Sequence, residues 1–163
     1  MNENIIEVGN LKKKFPGVQA LKGINLEIPK GMITGIVGPN GSGKSTLLKI
    51  ISGLIVKDEG QISINRKNKG RHLMKDIAFL PEINHLYRWM KISEIIKFHE
   101  EQFADFSTQK ASELLDFMNL KVEQKINNLS KGMVARLKLI LVLSRSAEIL
   151  ILDEPTAVLT PQE

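Results

Sequence analysis

The chain is 163 residues long, 42% apolar and 25% charged, with a formal net charge of +5. Such a composition suits a globular domain, and the absence of cysteine excludes disulfides and thiolate metal sites. The most apolar stretch, Leu137–Leu143, is too short to cross a bilayer and is interrupted by Lys138, and Lys12-Lys13-Lys14 is too short a basic run to argue for nucleic acid, so no nucleic-acid partner is expected.

In chain order, Ile5-Ile6-Glu7-Val8 with Leu11 reads as a first strand, ended by a turn at Pro16-Gly17. Leu21–Ile28 alternates apolar and polar residues and reads as a second strand. Pro29-Lys30-Gly31 then turns the chain into Met32–Val37, a short apolar segment with the length and branching of a buried strand. Next comes Gly38-Pro39-Asn40-Gly41-Ser42-Gly43-Lys44-Ser45-Thr46, which fits the pattern of Gly, four residues, then Gly-Lys-Ser/Thr. Leu47–Ser52 reads as a helix closed by Gly53.

A strand, a glycine-rich loop and a helix N-terminus in succession make a phosphate site. Successive N–H groups form a concave nest, and the helix dipole adds positive potential there. Gly38, Gly41 and Gly43 let the backbone approach phosphate oxygens with no Cβ in the way. Asn40, Ser42 and Thr46 complete the loop, Lys44 is placed for the β- and γ-phosphates, and the Ser45 hydroxyl for Mg²⁺. A glycine-rich turn before a helix is the plainer alternative, but the pattern in this context predicts a nucleotide site.

Further on, Asp58-Glu59-Gly60 reads as a turn, Gln61–Ile64 as a short strand and Asn65–Lys75 as a polar surface loop. Asp76–Leu80 reads as a buried strand stopped by Pro81. From Ile92 the period becomes helical: Ile92, Ile95, Ile96 and His99 share a face, and Ser93 helps to start the helix. Ala111, Leu114, Leu115 and Met118 mark a second helix. Leu129-Ser130-Lys131-Gly132-Met133 opens a long one, with Met133, Leu137, Ile140, Leu141 and Ser144 inward and Arg136, Lys138 and Arg145 outward.

Ile149–Leu152 is fully apolar and ends in Asp153-Glu154-Pro155, which suits a central strand whose C-terminal end meets the phosphate loop. Asp153 would hold Mg²⁺, directly or through water, and Glu154 would take a proton from an attacking water. Without a phosphate loop upstream, two solvated acids before a proline would be the better reading.

These motifs, in this order, resemble the nucleotide-binding domain of ATP-binding cassette (ABC) transporters along nearly the whole chain. The resemblance implies an α/β fold: a P-loop NTPase core of mostly parallel sheet and helices, an antiparallel β subdomain and an inserted helical subdomain. Residues 1–87 would form the β and phosphate-loop core, 88–146 the helical subdomain, and 147–163 the strand ending in Asp153 with its following loop, all of one domain. Phe15 matches the aromatic that stacks on adenine in the family, with Val18 beside it. Gly38–Thr46 matches Walker A, and Ile149–Glu154 matches Walker B with its catalytic glutamate. Leu129–Met133 stands in place of the family signature, whose Ser130 and Gly132 equivalents reach the γ-phosphate of the opposite subunit in a head-to-tail dimer. ATP and Mg²⁺ are the implied cofactors. A second nucleotide-binding subunit and a transmembrane subunit are the implied partners, with the protein cytoplasmic and peripheral at the inner face of the membrane.

The sequence departs from the family at several positions. Glu82 stands where a glutamine usually senses Mg²⁺ and contacts the membrane partner; a carboxylate can still ligate the ion, with more charge and no amide donor. Lys131 and Met133 replace Gly and Gln of the signature, and Thr160 follows Leu159 where an Asp is frequent. Phe15–Leu21 and Asp153–Glu163 are similar to sugar or nucleoside importer ATPases, whereas Phe79–Glu82 and Leu129–Met133 are similar to multidrug or antibiotic exporters. The family's switch histidine follows Walker B, but the chain ends nine residues after Glu154, and His72, His85 and His99 all precede it. The three histidines are expected at the surface, and the chain reads as truncated, able to bind nucleotide better than it hydrolyses it. The alternatives are a non-transport ABC ATPase acting on ribosomes or DNA, a P-loop kinase for a small metabolite, and a binding module without turnover.

Overall fold

The computed structural model describes residues 3–65, 67–68, 76–83 and 85–153. Two compact units divide the chain, Met1–Met74 and Lys75–Glu163.

The first unit is built on β1 (Asn4–Phe15), which pairs antiparallel with β2 (Val18–Pro29) on one side and β3 (Glu59–Ile64) on the other. A short β4 (Lys67–Asn68) extends the sheet to the order β2-β1-β3-β4. Strict alternation would bury Ile6, Val8 and residue 10, yet Leu11 is the buried residue. Both ladders show why: between Val8 and Leu11, and between Gly9 and Lys12, β1 spends one residue more than its partner. The extra residue is Asn10, with φ 49°, and its N–H donates to Asn25 Oδ1 at 2.8 Å. This bulge turns Leu11 back to the inner face. Gly60 crosses it at φ 94°, where a Cβ would lie 2.4 Å from the Asn10 carbonyl oxygen, so only glycine fits. Glu59 and Gly60 therefore belong to β3 rather than to the turn expected at Asp58–Gly60.

Helix α1 (Lys44–Ile51) buries Leu47, Ile50 and Ile51, and ends where the Gly53 N–H donates to the Ile50 carbonyl at 3.1 Å. The expected strand Met32–Val37 does not form. These residues pair with no strand among those described, and Ile33 and Val37 are 102% and 93% exposed. An apolar β-branched run becomes a strand only beside a backbone that completes its ladder, and the four strands of this sheet are ordered without it.

The second unit holds β5 (Ile77–Leu80) and β6 (Ile149–Leu152), paired in parallel with Leu80 opposite Leu152. A parallel pair needs a long crossover. Here it contains α2 (Ile92–Gln102), α3 (Thr108–Phe117), a 3₁₀ turn at Ile126–Asn128 and α4 (Lys131–Leu143). One apolar cluster joins them: Ile92 and Ile95 of α2, Ala111 and Leu115 of α3, and Leu137, Ile140 and Leu141 of α4. In β6 only Ile149 and Ile151 are buried, while Leu150 and Leu152 are exposed, so the fully apolar run is covered on one face rather than both.

Helix α2 starts at Ile92, as its period suggested, but Lys91 rather than Ser93 stands at its cap. Glu94 Oε2 accepts from the Lys91 N–H at 2.7 Å, and the N–H groups of Ile92 and Ser93 donate to the carbonyls of Gln124 and Val122. The free donors of the first turn are thus met from a neighbouring loop, which makes a serine cap unnecessary.

Two cations expected outside are inside. Lys138 is 6% exposed, and its ammonium donates to the carbonyls of Pro81 (2.6 Å) and Glu82 (3.3 Å). Hydrogen bonds with one charged partner contribute about 1.5–3 kcal/mol, enough to offset drawing the long side chain inward. Arg145 lies over the Phe103 ring at 4.3 Å and pairs with Asp105 at 3.0 Å, its charge met where the helix period placed it in solvent.

His99 is also not a surface residue. It is half-buried, with ring centroids of Phe98, Phe103 and Phe106 5.7–5.9 Å away, and its Nδ1 donates to the Ile95 carbonyl at 2.8 Å. His85 is exposed, as expected, and His72 lies outside the described residues. Burial holds the His99 pKa below the usual 6.5, with smaller repulsion from His85 and Arg145. The folded state favours the neutral ring, so its contribution to stability is complete above pH 6.5 and declines as pH falls through 6.5 toward the lowered folded value. The urea midpoint of the protein is expected to fall between about pH 7.5 and about pH 5, and to fall less in His99→Gln.

Candidate functional site

The phosphate loop belongs to the first unit. Gly43 caps α1 in the left-handed conformation (φ 92°, ψ 6°), with no side chain closing the helix end. The N–H groups of the first turn therefore remain directed out of the helix toward the loop. A Cβ on Gly43 would lie 2.5 Å from the Ala20 carbonyl oxygen and 2.8 Å from Leu21 Cδ2, so the start of α1 rests directly on β2. The loop is tightened by the Ser42 N–H, which donates to the Pro39 carbonyl at 3.2 Å. Lys44 curls back over it, its ammonium donating to the carbonyls of Gly38 (2.7 Å) and Pro39 (2.8 Å). The charge is thereby held over the loop at the helix N-terminus, where an anion is favoured on both counts. Asn40, Gly41 and Ser42 are exposed, while Ser45 and Thr46 are half-buried.

Phe15 ends β1 opposite Val18 across the hairpin and is 38% exposed; Val18 is exposed as well. Two residues that sequence reasoning left out of the site hold the approach to it. Lys13 Nζ sits 5.3 Å from the centre of the Phe15 ring, and Asp58 fixes Lys13 from behind, Oδ1 accepting from Nζ at 2.7 Å and Oδ2 from the Lys14 N–H at 2.7 Å. The Lys13 hydrogen bond, then that of Lys14, lowers the Asp58 pKa. A signal was available, because residues i and i+2 of a strand share a face and place Lys13 beside Phe15.

In the second unit, the pairing of Leu80 with Leu152 brings the ends of β5 and β6 side by side. Asp153 follows β6, is buried, and donates its N–H to the Leu80 carbonyl at 2.9 Å. Glu82 follows β5 in an exposed turn. Both acidic positions thus emerge at one end of the parallel pair. Ser130 caps α4, its Oγ accepting from the Met133 N–H at 3.2 Å. Gly132 is exposed, and among the described residues a Cβ there would meet nothing within 4 Å. Glu154, the expected base, lies outside the described residues, as do Leu159 and Thr160. The hydroxyl of Ser45 in the first unit, and the carboxylates of Asp153 and Glu82 in the second, are oxygen donors of the type Mg²⁺ prefers. Among the described residues no cluster of three or more His, Asp or Glu forms a metal site by itself.

The family model for ABC transporters matches residues 21–157, most of the chain. The chain belongs to the ABC transporter family. It is 36% identical over 176 residues to the guanosine import ATP-binding protein NupO of Bacillus subtilis, covering 99% of this chain and 34% of that protein. It is 31% identical over 166 residues to the linearmycin resistance ATP-binding protein LnrL of the same organism, covering 97% and 53%. With the sulfate/thiosulfate import ATP-binding protein CysA of Mesostigma viride it shares 39% identity over 158 residues, covering 92% and 45%. The chain thus spans about a third to a half of these curated relatives. Among solved structures, an ATP-binding subunit of an ABC transporter aligns with a TM-score of 0.81 at 25% identity, over 94% of this chain and 67% of that one. CbiO1 of Clostridium perfringens, part of the transporter complex cbiONQ, aligns with a TM-score of 0.74 at 29% identity, over 98% and 68%. The α/β fold of this ABC chain is that of the P-loop ATP-binding subunits it matches.

Because Gly43 combines positive φ with contact against the Ala20 carbonyl, Gly43→Ala is expected to destabilise the first unit by about 1–3 kcal/mol. A urea titration of the variant beside the parent chain measures this. A loss below a few tenths of a kcal/mol would contradict the contact.

Proposed function

We propose that the chain is the ATP-binding part of a transporter subunit, in which Mg-ATP binding and hydrolysis drive solute movement through a membrane partner. The observation that carries this reading is the Gly43-capped loop, with the Lys44 ammonium held over it at the open end of α1. The names of the relatives, all ATP-binding proteins of import or resistance systems, support it.

ATP would stack its base on Phe15, beside Val18, and lay its phosphates on the N–H groups that the loop Gly38–Thr46, Pro39 excepted, offers. On binding, Lys44 exchanges its two loop carbonyls for β- and γ-phosphate oxygens, so its charge is already in place when negative charge develops. Ser45, Asp153 and Glu82 would hold Mg²⁺, which when bound neutralises phosphate charge. Glu154 would orient a water in line with the γ-phosphate and accept its proton.

The signature segment would serve a second nucleotide-binding subunit. Among the described residues nothing crowds a side chain at position 132, so a demand for glycine there would come from a γ-phosphate approaching from outside. Ser130, already oriented as the cap of α4, would offer its hydroxyl hydrogen to the same phosphate. Residues 1–163 act in this reading as one ABC-type ATP-binding domain. No helix among the described residues is long and apolar enough to cross a membrane, and we place the protein on the cytoplasmic side, held there by its transmembrane partner.

The test is Mg-ATP binding by calorimetry together with phosphate release. Lys44→Ala is expected to weaken binding at least about tenfold, equivalent to about 1.4 kcal/mol. Glu154→Gln should keep binding and lower any turnover by about 10²–10⁴-fold. An unmodified chain that folds and binds no ATP would refute the proposal.

A further inference from the structure

Lys138 is a buried cation that the proposed hydrolysis does not use. It sits on α4 at a position whose neighbours Leu137, Ile140 and Leu141 are core, yet it carries a charge there and remains 6% exposed. Its ammonium crosses to the turn after β5 and donates to two successive carbonyls, Pro81 at 2.6 Å and Glu82 at 3.3 Å. Pro81 follows the last residue of β5 and has no N–H to continue the ladder, and its carbonyl and that of Glu82 are met by Lys138 instead. Both acceptors are neutral backbone groups of the residue pair that presents the Glu82 side chain. At its other end the same helix is capped by Ser130, eight residues or about 12 Å from Lys138 along a continuous α-helix.

We propose that Lys138 is a positioning residue that clamps the 81–82 turn to α4, so that Glu82 and the Ser130 end of the helix move as one body. This rests on the function proposed above, in which Glu82 meets Mg²⁺ and Ser130 meets the second subunit's nucleotide. A helix is stiff over two turns, and two hydrogen bonds from one ammonium restrain a turn against both sliding and rotation. A shift of the Glu82 carboxylate on nucleotide binding therefore carries α4 with it, and the arrival of a second subunit at Ser130 is felt at Glu82. The segment just beyond the clamp is anchored separately, Ile126 and Asn127 donating their N–H groups to the carbonyls of Met90 and Arg88 at 2.9 Å. Lys138 thus ties the 81–82 turn to α4, ahead of Leu86, which packs into the helical core.

The test compares Lys138→Met, which keeps the length and apolar stem without the charge, with Lys138→Arg, which keeps cation and donors. Amide hydrogen exchange is followed without nucleotide in the peptide covering residues 82–88 and in one from α3. In Lys138→Met, the 82–88 amides are expected to exchange roughly tenfold faster while α3 is unchanged, and Lys138→Arg should restore most of the protection. The Mg²⁺ concentration for half-maximal ATP binding should rise severalfold in Lys138→Met, with ATP affinity in the absence of Mg²⁺ unaltered. Unchanged exchange at 82–88 would overturn the proposal, as would equal loosening of α3 and 82–88 in both variants, which would make Lys138 a general support. Faster exchange with an unaltered Mg²⁺ requirement would overturn it too, since the turn would then be held for packing alone. Failure of the unmodified chain to bind ATP would count against the proposed function, whereas the exchange comparison needs no nucleotide.

Discussion

The left-handed residue at the start of α1 governs what the first unit can do. Gly43 has to take positive φ to turn the loop into the helix, and it does so pressed against the Ala20 carbonyl and the Leu21 side chain. Those residues belong to β2, whose register is fixed by β1, which is in turn paired with β3. The direction of the α1 N–H groups is therefore set by a chain of backbone contacts running through three strands. A phosphate loop hung on a mobile turn would have to order itself on binding and lose affinity to that entropy. Here the helix end is oriented beforehand.

The second unit solves a different problem, that of joining two parallel strands through a long crossover. The apolar faces of three helices supply one core, and the polar atoms near it are met by unusual partners: a lysine on carbonyls, an arginine between a carboxylate and an aromatic face, a histidine among phenylalanines. Each is a charged or titratable group drawn inward because a specific acceptor or π face awaits it. The same devices fix turns that helix packing alone would leave loose.

Much of this was legible in the sequence, for identifiable reasons. β1 announced itself by its apolar residues before the turn at Pro16-Gly17, β2 by alternation, α3 and α4 by the helical period, and the phosphate loop by residue types that few other structures require. What could not be read was long-range. Nothing local in Met32–Val37 says whether a neighbouring strand completes its ladder, and a fully apolar Ile149–Leu152 gives no hint that one face is open. Lys138 and Arg145 fall where the helix period assigns solvent, and only the folded positions of Pro81, Glu82 and Asp105 reverse that assignment. The partnership of Lys13 with Asp58, unlike the nearness of Lys13 to Phe15, joins residues 45 positions apart and could not be read locally.

The bulge at Asn10 bears on how this strand can vary by descent. Since Asn10 is the residue that puts β1 out of step, removing it would restore plain alternation and leave Leu11 facing inward, whereas a deletion at Glu7 would turn the preceding residues over. With the bulge gone, the Asn10 and Gly9 carbonyls that crowd a Cβ at position 60 would shift together, and the demand for glycine there would ease. Length at one site and residue identity at another, on a different strand, are thus a single inherited trait. A gap in one lineage and an alanine or serine in place of glycine would be expected to travel together.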